Sequence, residues 1–329
     1  MQTTFTHASP ADRVLCAALR DRIMTADQAA SLIQSGMTLG MSGFTPAGAP
    51  KAVPQALARH IEAQNANGGN FRISLWTGAS TSPELDGALA KVHGIERRLP
   101  YQADPTVRKE INEGRMQYVD IHLSHVAQYV WFGFLGHLDV AVIEVAGILP
   151  DGRLIPSTSV GNNKTWLEQA DKIILEVNSA QPVELEGMHD IYYGAAVPPK
   201  RKPIPMEHPF DRIGDPYLHC DLSKVIAVVP TQQRDKLAAF SAPDQDSQRI
   251  AQHIIDFLQQ EVKIGRLPPE LLPLQSGVGN IANAVLAGLN TGPFDHLNAY
   301  TEVLQDGMLD MLESGKLDTA STTSLALSP

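Results

Sequence analysis

Cysteine is scarce in this chain, and its scarcity limits the kinds of fold and site that are available. Only Cys16 and Cys220 occur among 329 residues, and they lie far apart without a C-x-x-C pair. This spacing is typical of a reducing compartment and argues against a disulfide framework or a thiolate metal site. The sequence HLSH places His122 near His125, but no third ligand follows nearby. We therefore expect no metal centre.

Long hydrophobic runs and an excess of basic charge are also lacking. No apolar stretch approaches the ~20 residues that a membrane-spanning helix needs, and the first residues contain no apolar signal core. We expect a cytoplasmic protein that has no membrane partner. The net charge of -10 argues against nucleic-acid binding, which usually needs a basic stripe. The short basic stretch PPKRKPIP is typical of a solvated loop, and a patch for cofactor phosphates is the alternative.

The order of apolar patterns predicts an α/β fold. Short β-branched runs alternate with helical patterns such as 25–36 and 50–64, the first capped by Thr25 and ended by Gly36. This alternation is typical of a largely parallel sheet, and near-continuous runs such as DVAVIEVAG indicate strands covered on both faces. The predicted strands are 37–44, 72–78, 117–123, 139–147, 172–178 and 225–230.

A polar, irregular segment at 231–248 divides the chain. We predict an N-terminal α/β domain at 1–230 and the start of a second domain at 231–329. The second part contains a long helix at 247–265, then a glycine loop, a helix, a strand and a further helix, and SLALS near the end resembles a beginning strand. About 90 residues are few for such a domain, so we expect the second domain to be incomplete in this chain.

A tight glycine loop, residues 276–279, leads directly into the apolar helix pattern NIANAVLAGL. Glycines allow a ligand to approach the backbone closely, and the first N–H groups of a helix attract anions or carbonyl oxygens. The third glycine of a dinucleotide fingerprint is missing, so a structural turn and an acyl- or nucleotide-contacting loop both remain possible. The strand-to-helix loops within 40–57 and 156–166 have the same two interpretations.

Glu302 stands in NAYTEVLQDGML, between a strand pattern and a helix pattern. A carboxylate there can be a general base, a nucleophile that becomes acylated, or an ordinary surface acid. It follows Gly277 by 25 residues, a distance that fits loop, helix and returning strand, and such an arrangement can bring both elements to one sheet edge. The sequence has no G-x-S-x-G, P-loop or H-E-x-x-H signature.

Four segments together resemble the acetyl-CoA hydrolase/transferase family of class I CoA-transferases: SGFTPAGAPKAVP, LQSGVGNIANAV, YTEVLQDGMLDMLESGKL and ASTTSLALS. They occur in the order that the family has, over nearly the whole chain. The resemblance implies two open α/β sheet domains of the CoA-transferase type. It also implies that members continue beyond residue 329 with further site residues, including an asparagine for the oxyanion hole.

The resemblance also implies the site and its chemistry. Glu302 corresponds to the glutamate that forms a glutamyl-CoA thioester, and coenzyme A is a co-substrate with no tightly bound cofactor. The other substrates are a short-chain acyl-CoA and a carboxylate such as acetate, succinate or propionate, and the expected assembly is a homodimer. The alternatives are an acyl-CoA hydrolase with the same glutamate, a non-catalytic chain that binds acyl-CoA, and a sugar-phosphate isomerase or deaminase of related architecture. The residues that correspond to the CoA-contacting loop are Gly277, Val278, Gly279, Asn280 and Ile281.

Overall fold

A computed structural model describes residues 9–79, 82–236 and 243–328. The chain divides into two compact units. The first unit comprises Met1–Ile204 and Ile213–Lys236, and the second comprises Pro205–Arg212 and Leu237–Pro329. Part of the predicted connection at 231–248 lies outside the described residues, and the division into domains at 1–230 and 231–329 stays a prediction.

One mostly parallel sheet organises the first unit. Its described strands follow the order β4-β3-β2-β1-β5-β7-β8, and β6 pairs with β5 as the one antiparallel neighbour among them. Parallel strands need crossover connections, and α-helices supply most of them here. The sheet confirms the predicted α/β class. The strands are β1 Thr38–Met41, β2 Ile73–Trp76, β3 Ile95–Leu99, β4 Gln117–Tyr118, β5 Val140–Ile148, β6 Leu154–Pro156, β7 Lys172–Asn178 and β8 Val225–Thr231.

Helices cover both faces of this sheet. Every residue of β5 is buried, and its side chains alternate between two apolar clusters: Val142 belongs to one and Ile143 to the other. This double burial explains the near-continuous apolar run that predicted β5. The α-helices are α1 Ala26–Ala30, α2 Ala52–Ala66, α3 Ala88–Lys91, α4 Pro105–Asn112, α5 Leu123–Trp131 and α6 Asn163–Gln169. Short 3-10 helices span Pro10–Arg13, Ala17–Arg22, Val183–Leu185 and Leu222–Lys224, and a π-helical turn, Pro83–Gly87, runs into α3.

Several predicted boundaries in the first unit differ from the observed ones. Thr25 caps α1 in a capping box with Gln28, as its position indicates, but the helix ends at Ala30, before the predicted stop at Gly36. The run at 117–123 gives only the two-residue strand β4, and its last residue already belongs to α5. Strand β3 was not predicted, because its sequence, IERRL, is highly charged and lacks the apolar run by which the other strands were recognised.

The described part of the second unit contains three α-helices and a short parallel sheet. Its helices are α7 Gln245–Lys263, α8 Asn280–Thr291 and α9 Asp306–Glu313, and its strands are β9 Leu297–Leu304 and β10 Leu317–Leu325. These strands pair in parallel, and Leu274 forms an isolated parallel bridge to Ala299 of β9. An apolar cluster that includes Ile255, Leu286 and Met308 joins the helices to the buried side of the sheet. Strand β10 begins at Leu317, well before the predicted SLALS, because its Thr- and Ser-rich sequence gives little apolar signal.

None of the helices in the described ranges is both long enough and apolar enough to cross a membrane.

Candidate functional site

Glu302 lies within β9 and is exposed to solvent. Side chains of this strand alternate: Ala299, Thr301 and Val303 are buried, whereas Tyr300 and Glu302 are exposed. This is the period-2 pattern of a strand with one covered face. No hydrogen bond or ion pair joins the Glu302 carboxylate to another side chain in the part of the chain that the structure describes. The carboxylate is therefore accessible to a reactant.

The glycine loop leads to the exposed start of α8. Val278 is 60% exposed and Ile281 is 48% exposed, although both are apolar. Gly279 occupies the N-cap position with φ 126°, and it offers no side chain to cap the first turn. A Cβ added to Gly277 would meet nothing within 4 Å. The loop thus presents apolar side chains, an uncapped helix start and open space next to the backbone.

Hydrogen bonds join the glycine loop to the strand that carries Glu302. The backbone N–H of Tyr300 donates to the Leu274 carbonyl over 2.9 Å. Thr301 Oγ1 accepts from the Ser276 N–H at 3.3 Å and lies 3.2 Å from the Ser276 carbonyl oxygen. Since Thr301 adjoins Glu302 and Ser276 adjoins Gly277, the structure brings the sequence-predicted site residues of this unit together.

The side chain of Gln305 fixes one peptide of the loop. Its Nε2 donates to the Gly277 carbonyl over 2.8 Å. The peptide between Gly277 and Val278 is trans, so its N–H points opposite to its C=O. The N–H of Val278 therefore faces away from Gln305, and no acceptor for it occurs within the described ranges. This donor is available to a ligand on the exposed side of the loop.

The first unit contains a buried charge cluster, formed by Lys51, Glu144 and Asp235, that sequence analysis missed. Lys51 Nζ lies 2.6 Å from Glu144 Oε2 and 2.6 Å from Asp235 Oδ1. The Glu144 carboxylate also accepts from Asn178 Nδ2 and Gln181 Nε2, each over 2.9 Å. Burial raises the pKa of Glu144 to about 7, although the charge of Lys51 opposes this rise. Burial lowers the pKa of Lys51, but Glu144 and Asp235 outweigh it and set that pKa at about 12.

Glu176 occupies a neighbouring position on β7 and caps a helix. Its carboxylate accepts the backbone N–H groups of Lys51, Ala52 and Val53 at 2.7, 3.0 and 2.9 Å. These are the first donors of α2, which otherwise lack intrahelical partners. Burial raises the pKa of Glu176, and the three hydrogen bonds oppose this rise. The sequence does contain a signal for this role. Glu176 stands inside the apolar run KIILEVN, and a carboxylate that is buried in such a strand needs hydrogen-bond partners.

The two other candidate loops, within 40–57 and 156–166, are joined at the buried charge cluster. Ser159 Oγ donates to the Ala47 carbonyl over 2.9 Å. The Gly48 N–H and the Thr158 hydroxyl both donate to Asp235 Oδ2, at 3.3 and 2.8 Å. These contacts hold the loops rigidly, which favours the structural interpretation for both.

The histidine pair of HLSH lines an open cavity of about 460 Å³ with Tyr101, Asp120 and Tyr129. The His122 and His125 rings lie 5.5 Å apart between centroids, in an edge-to-face arrangement. No group of three or more metal-ligating side chains was found in residues 9–79, 82–236 and 243–328.

Comparisons with known proteins identify the family. The acetyl-CoA hydrolase/transferase N-terminal domain matches residues 13–230. The chain is 47% identical to succinyl-CoA:acetate CoA-transferase of Clostridium kluyveri, over 94% of this chain and 57% of that protein. It is 43% identical to propanoyl-CoA:succinate CoA transferase of Escherichia coli, over 93% of this chain and 62% of that protein. It is 44% identical to an acetyl-CoA hydrolase of Yarrowia lipolytica, over 93% of this chain and 60% of that protein.

Solved structures show the same fold, and the chain again corresponds to only part of each. RipA from Yersinia pestis aligns over 95% of this chain and 65% of its own, with a TM-score of 0.67 and 19% identity. A 4-hydroxybutyrate CoA-transferase from Porphyromonas gingivalis aligns over 94% of this chain and 63% of its own, with a TM-score of 0.59 and 20% identity. The chain thus spans about 60% of the length of its curated relatives, and the domain match over residues 13–230 shows that it belongs to the acetyl-CoA hydrolase/transferase family.

Proposed function

We propose that the protein containing this chain transfers coenzyme A between a short-chain acyl-CoA and a carboxylate of the acetate, succinate or propionate type. The observation that carries this proposal is the exposed carboxylate of Glu302 on a strand that is hydrogen-bonded to the glycine loop. The two CoA-transferases at 47% and 43% identity support it, since their names specify this reaction type.

In the first step, Glu302 acts as a nucleophile. Its carboxylate oxygen attacks the thioester carbonyl of the acyl-CoA, the C–S bond breaks, and CoA leaves as a thiolate. The product is a mixed anhydride between the acyl group and Glu302. A carboxylate suits this role because its anhydride remains reactive toward the departing thiolate.

In the second step, the CoA thiolate attacks the glutamyl carbonyl of the anhydride. The first acid leaves as a carboxylate, and Glu302 becomes a glutamyl-CoA thioester. An incoming carboxylate then reverses both steps and leaves as the new acyl-CoA, which restores Glu302. Each attack generates an oxyanion that nearby hydrogen-bond donors must stabilise.

We propose that residues 277–281 contact coenzyme A. The exposed apolar side chains of Val278 and Ile281 suit the pantetheine arm, and the helix start beyond Gly279 suits carbonyl or phosphate oxygens. Binding of the remote parts of CoA then lowers the barrier at the thioester. Coenzyme A serves as a co-substrate in this scheme, and no tightly bound cofactor is required.

Acyl-CoA hydrolysis is a second candidate function. The acetyl-CoA hydrolase of Yarrowia lipolytica is 44% identical to this chain, and Glu302 is open to solvent in the second unit. If water reaches the glutamyl intermediate before a carboxylate does, the same residue gives a hydrolase.

From the resemblance we also propose that the protein is a homodimer and is cytoplasmic. Light scattering of the intact protein measures its molar mass and so tests the homodimer.

The test compares wild type with Glu302→Gln in the intact protein. We expect acyl-CoA consumption to depend on added acetate or succinate, with a new acyl-CoA formed, and we expect Glu302→Gln to abolish both. Glu313→Gln is the matched control, because Glu313 is another exposed glutamate of the same unit and its variant should retain wild-type activity. Consumption without a new acyl-CoA identifies the hydrolase, and full activity of Glu302→Gln overturns the proposal.

A further inference from the structure

Gln305 is a buried polar residue at the junction of β9 and α9. It is 1% exposed and occupies the N-cap position of α9, but its side chain makes no capping hydrogen bond there. N-cap residues are usually short polar ones whose side chains satisfy the first helical N–H groups. The carboxamide of Gln305 is instead directed to the glycine loop, where it donates to the Gly277 carbonyl over 2.8 Å.

Burial of this carboxamide has a cost that helix structure does not explain. Gln305 Oε1 is inaccessible to solvent, and no donor for it occurs in the part of the chain that the structure describes. A buried polar atom without a partner costs free energy, so each such atom in a folded protein needs an explanation. Leucine or methionine would fill the same volume without that cost. The donor to Gly277 is what distinguishes glutamine from them.

The glycine loop has little else to hold it. Added Cβ atoms at Gly277 and Gly279 would meet nothing within 4 Å, so no neighbouring atom packs against that side of the backbone. The described side-chain hydrogen bonds to the loop from β9 and its end come from Thr301 and Gln305, which stand on either side of Glu302 in the sequence. These two residues therefore fix the loop relative to the strand that carries the carboxylate.

We propose that Gln305 is a positioning residue: its carboxamide holds the peptide between Gly277 and Val278 at a fixed place beside Glu302. The inference rests on the proposed function, since it assigns the held loop to coenzyme A. Without the Gln305 donor, the Gly277 carbonyl keeps only the Ser276 hydroxyl, at 3.2 Å. Because Ser276 belongs to the loop itself, that bond does not tie the peptide to β9 or its end, and the peptide can rotate. The N–H of Val278 then no longer has a fixed direction, and the loop no longer presents one surface to the ligand.

Two variants of Gln305 and one control test the proposal in the intact protein. Gln305→Ala removes the donor. Gln305→Glu keeps the size but donates to the Gly277 carbonyl only when its carboxyl group is protonated. Gln259→Glu, an exposed position on α7, controls for the added charge. Thermal unfolding of all three shows whether the fold is retained.

The first measurement is amide hydrogen exchange of the segment 274–281 without any substrate. We expect faster exchange there in Gln305→Ala and wild-type exchange in Gln259→Glu. Unchanged exchange in Gln305→Ala overturns the proposal. This measurement needs no catalysis, so it decides the role of Gln305 even if Glu302→Gln shows that the proposed function is wrong.

The second measurement separates positioning from general stability. A misplaced reacting group can cost on the order of 100-fold in rate, so we expect kcat/KM of Gln305→Ala to fall by up to that factor while α-helical content is retained. Activity of Gln305→Glu relative to wild type should rise as the pH is lowered, because protonation restores the donor. If Gln305→Ala does not fold, this pH profile decides, and a profile parallel to that of wild type contradicts the proposal.

Discussion

Lys51 Nζ lies 2.6 Å from Glu144 Oε2 inside the first unit, and both side chains are almost completely buried. Asp235 supplies a second carboxylate at 2.6 Å from the same ammonium group. One cation thus faces two acids, and the pKa of Glu144 rises to about 7 because burial penalises its charged form. The cluster connects the strand-to-helix loop before α2 with β5 and the segment after β8, so its protonation should affect the stability of the first unit.

The stability of the first unit should therefore depend on the protonation of Glu144. Its carboxyl group has an ordinary pKa of 4.5 and a folded pKa of about 7, so the folded state binds this proton more tightly. The protonated Glu144 therefore contributes fully to the free energy of unfolding below about pH 4.5. This contribution is lost as the pH rises to about 7, and the free energy does not change further through this group above that pH. Between these limits it changes by on the order of 3 kcal/mol.

Denaturant unfolding of wild type and Glu144→Gln at about pH 5 and about pH 8 measures this contribution. Glutamine has no proton to exchange, so the difference in unfolding free energy between the two proteins should change with pH in favour of the variant at higher pH. A difference that does not change with pH contradicts the assignment.

Removal of Lys51 should be far more damaging than removal of an exposed cation. Lys51→Met keeps the apolar length of the side chain but leaves Glu144 and Asp235 without their cation, and breaking a buried pair typically costs about 3–5 kcal/mol. Arg59→Ala breaks the exposed pair with Asp27, which joins Arg59 Nη2 to Asp27 Oδ1 over 2.5 Å, and should cost about 0–1 kcal/mol. Calorimetry or urea unfolding compares the two, and equal losses would show that the buried cluster does not act as described.

The two glycines of the loop should respond differently to alanine. Gly277→Ala places its methyl group in open space, so the fold should be retained, but KM for the acyl-CoA should rise by on the order of 10-fold because the ligand loses close approach. Gly279 has a φ of 126°, which residues with a Cβ rarely adopt. Gly279→Ala should therefore strain the backbone and destabilise the second unit by about 1–3 kcal/mol. Steady-state kinetics and thermal unfolding separate these effects. A Gly277→Ala protein with unchanged KM argues against CoA contact at this position.

The sequence predicted the parts of the fold whose signal is local. Strands β5, β7 and β8 were found nearly to the residue because they are buried on both faces. Strand β3 was not predicted, since its buried Arg98 is paired with the distant Asp86, whose Oδ1 lies 3.2 Å from Arg98 Nε, and also donates to the Thr77 hydroxyl over 2.6 Å. A pairing between distant positions leaves no periodic pattern, so apolar periodicity cannot find it.

The candidate site shows the same division between local and distant signals. Glu302 and the glycine loop stand within one stretch of the chain, which made both of them candidates, and the family resemblance supplied their predicted roles. The buried charge cluster draws Lys51, Glu144 and Asp235 from three separate regions, and only the fold brings them together. Gln305 was missed because its role depends on a hydrogen bond to Gly277 that no spacing indicates.

Covalent capture at Glu302 tests the central claim most directly. The intact protein is incubated with an acyl-CoA and no acceptor acid, treated with borohydride, digested and analysed by mass spectrometry. Borohydride reduces a glutamyl thioester to a primary alcohol, so the peptide that contains Glu302 should lose one oxygen and gain two hydrogens, and Glu302→Gln should show no such change. An unmodified Glu302 peptide in a protein that consumes acyl-CoA, or the same modification at another carboxylate, would contradict the account.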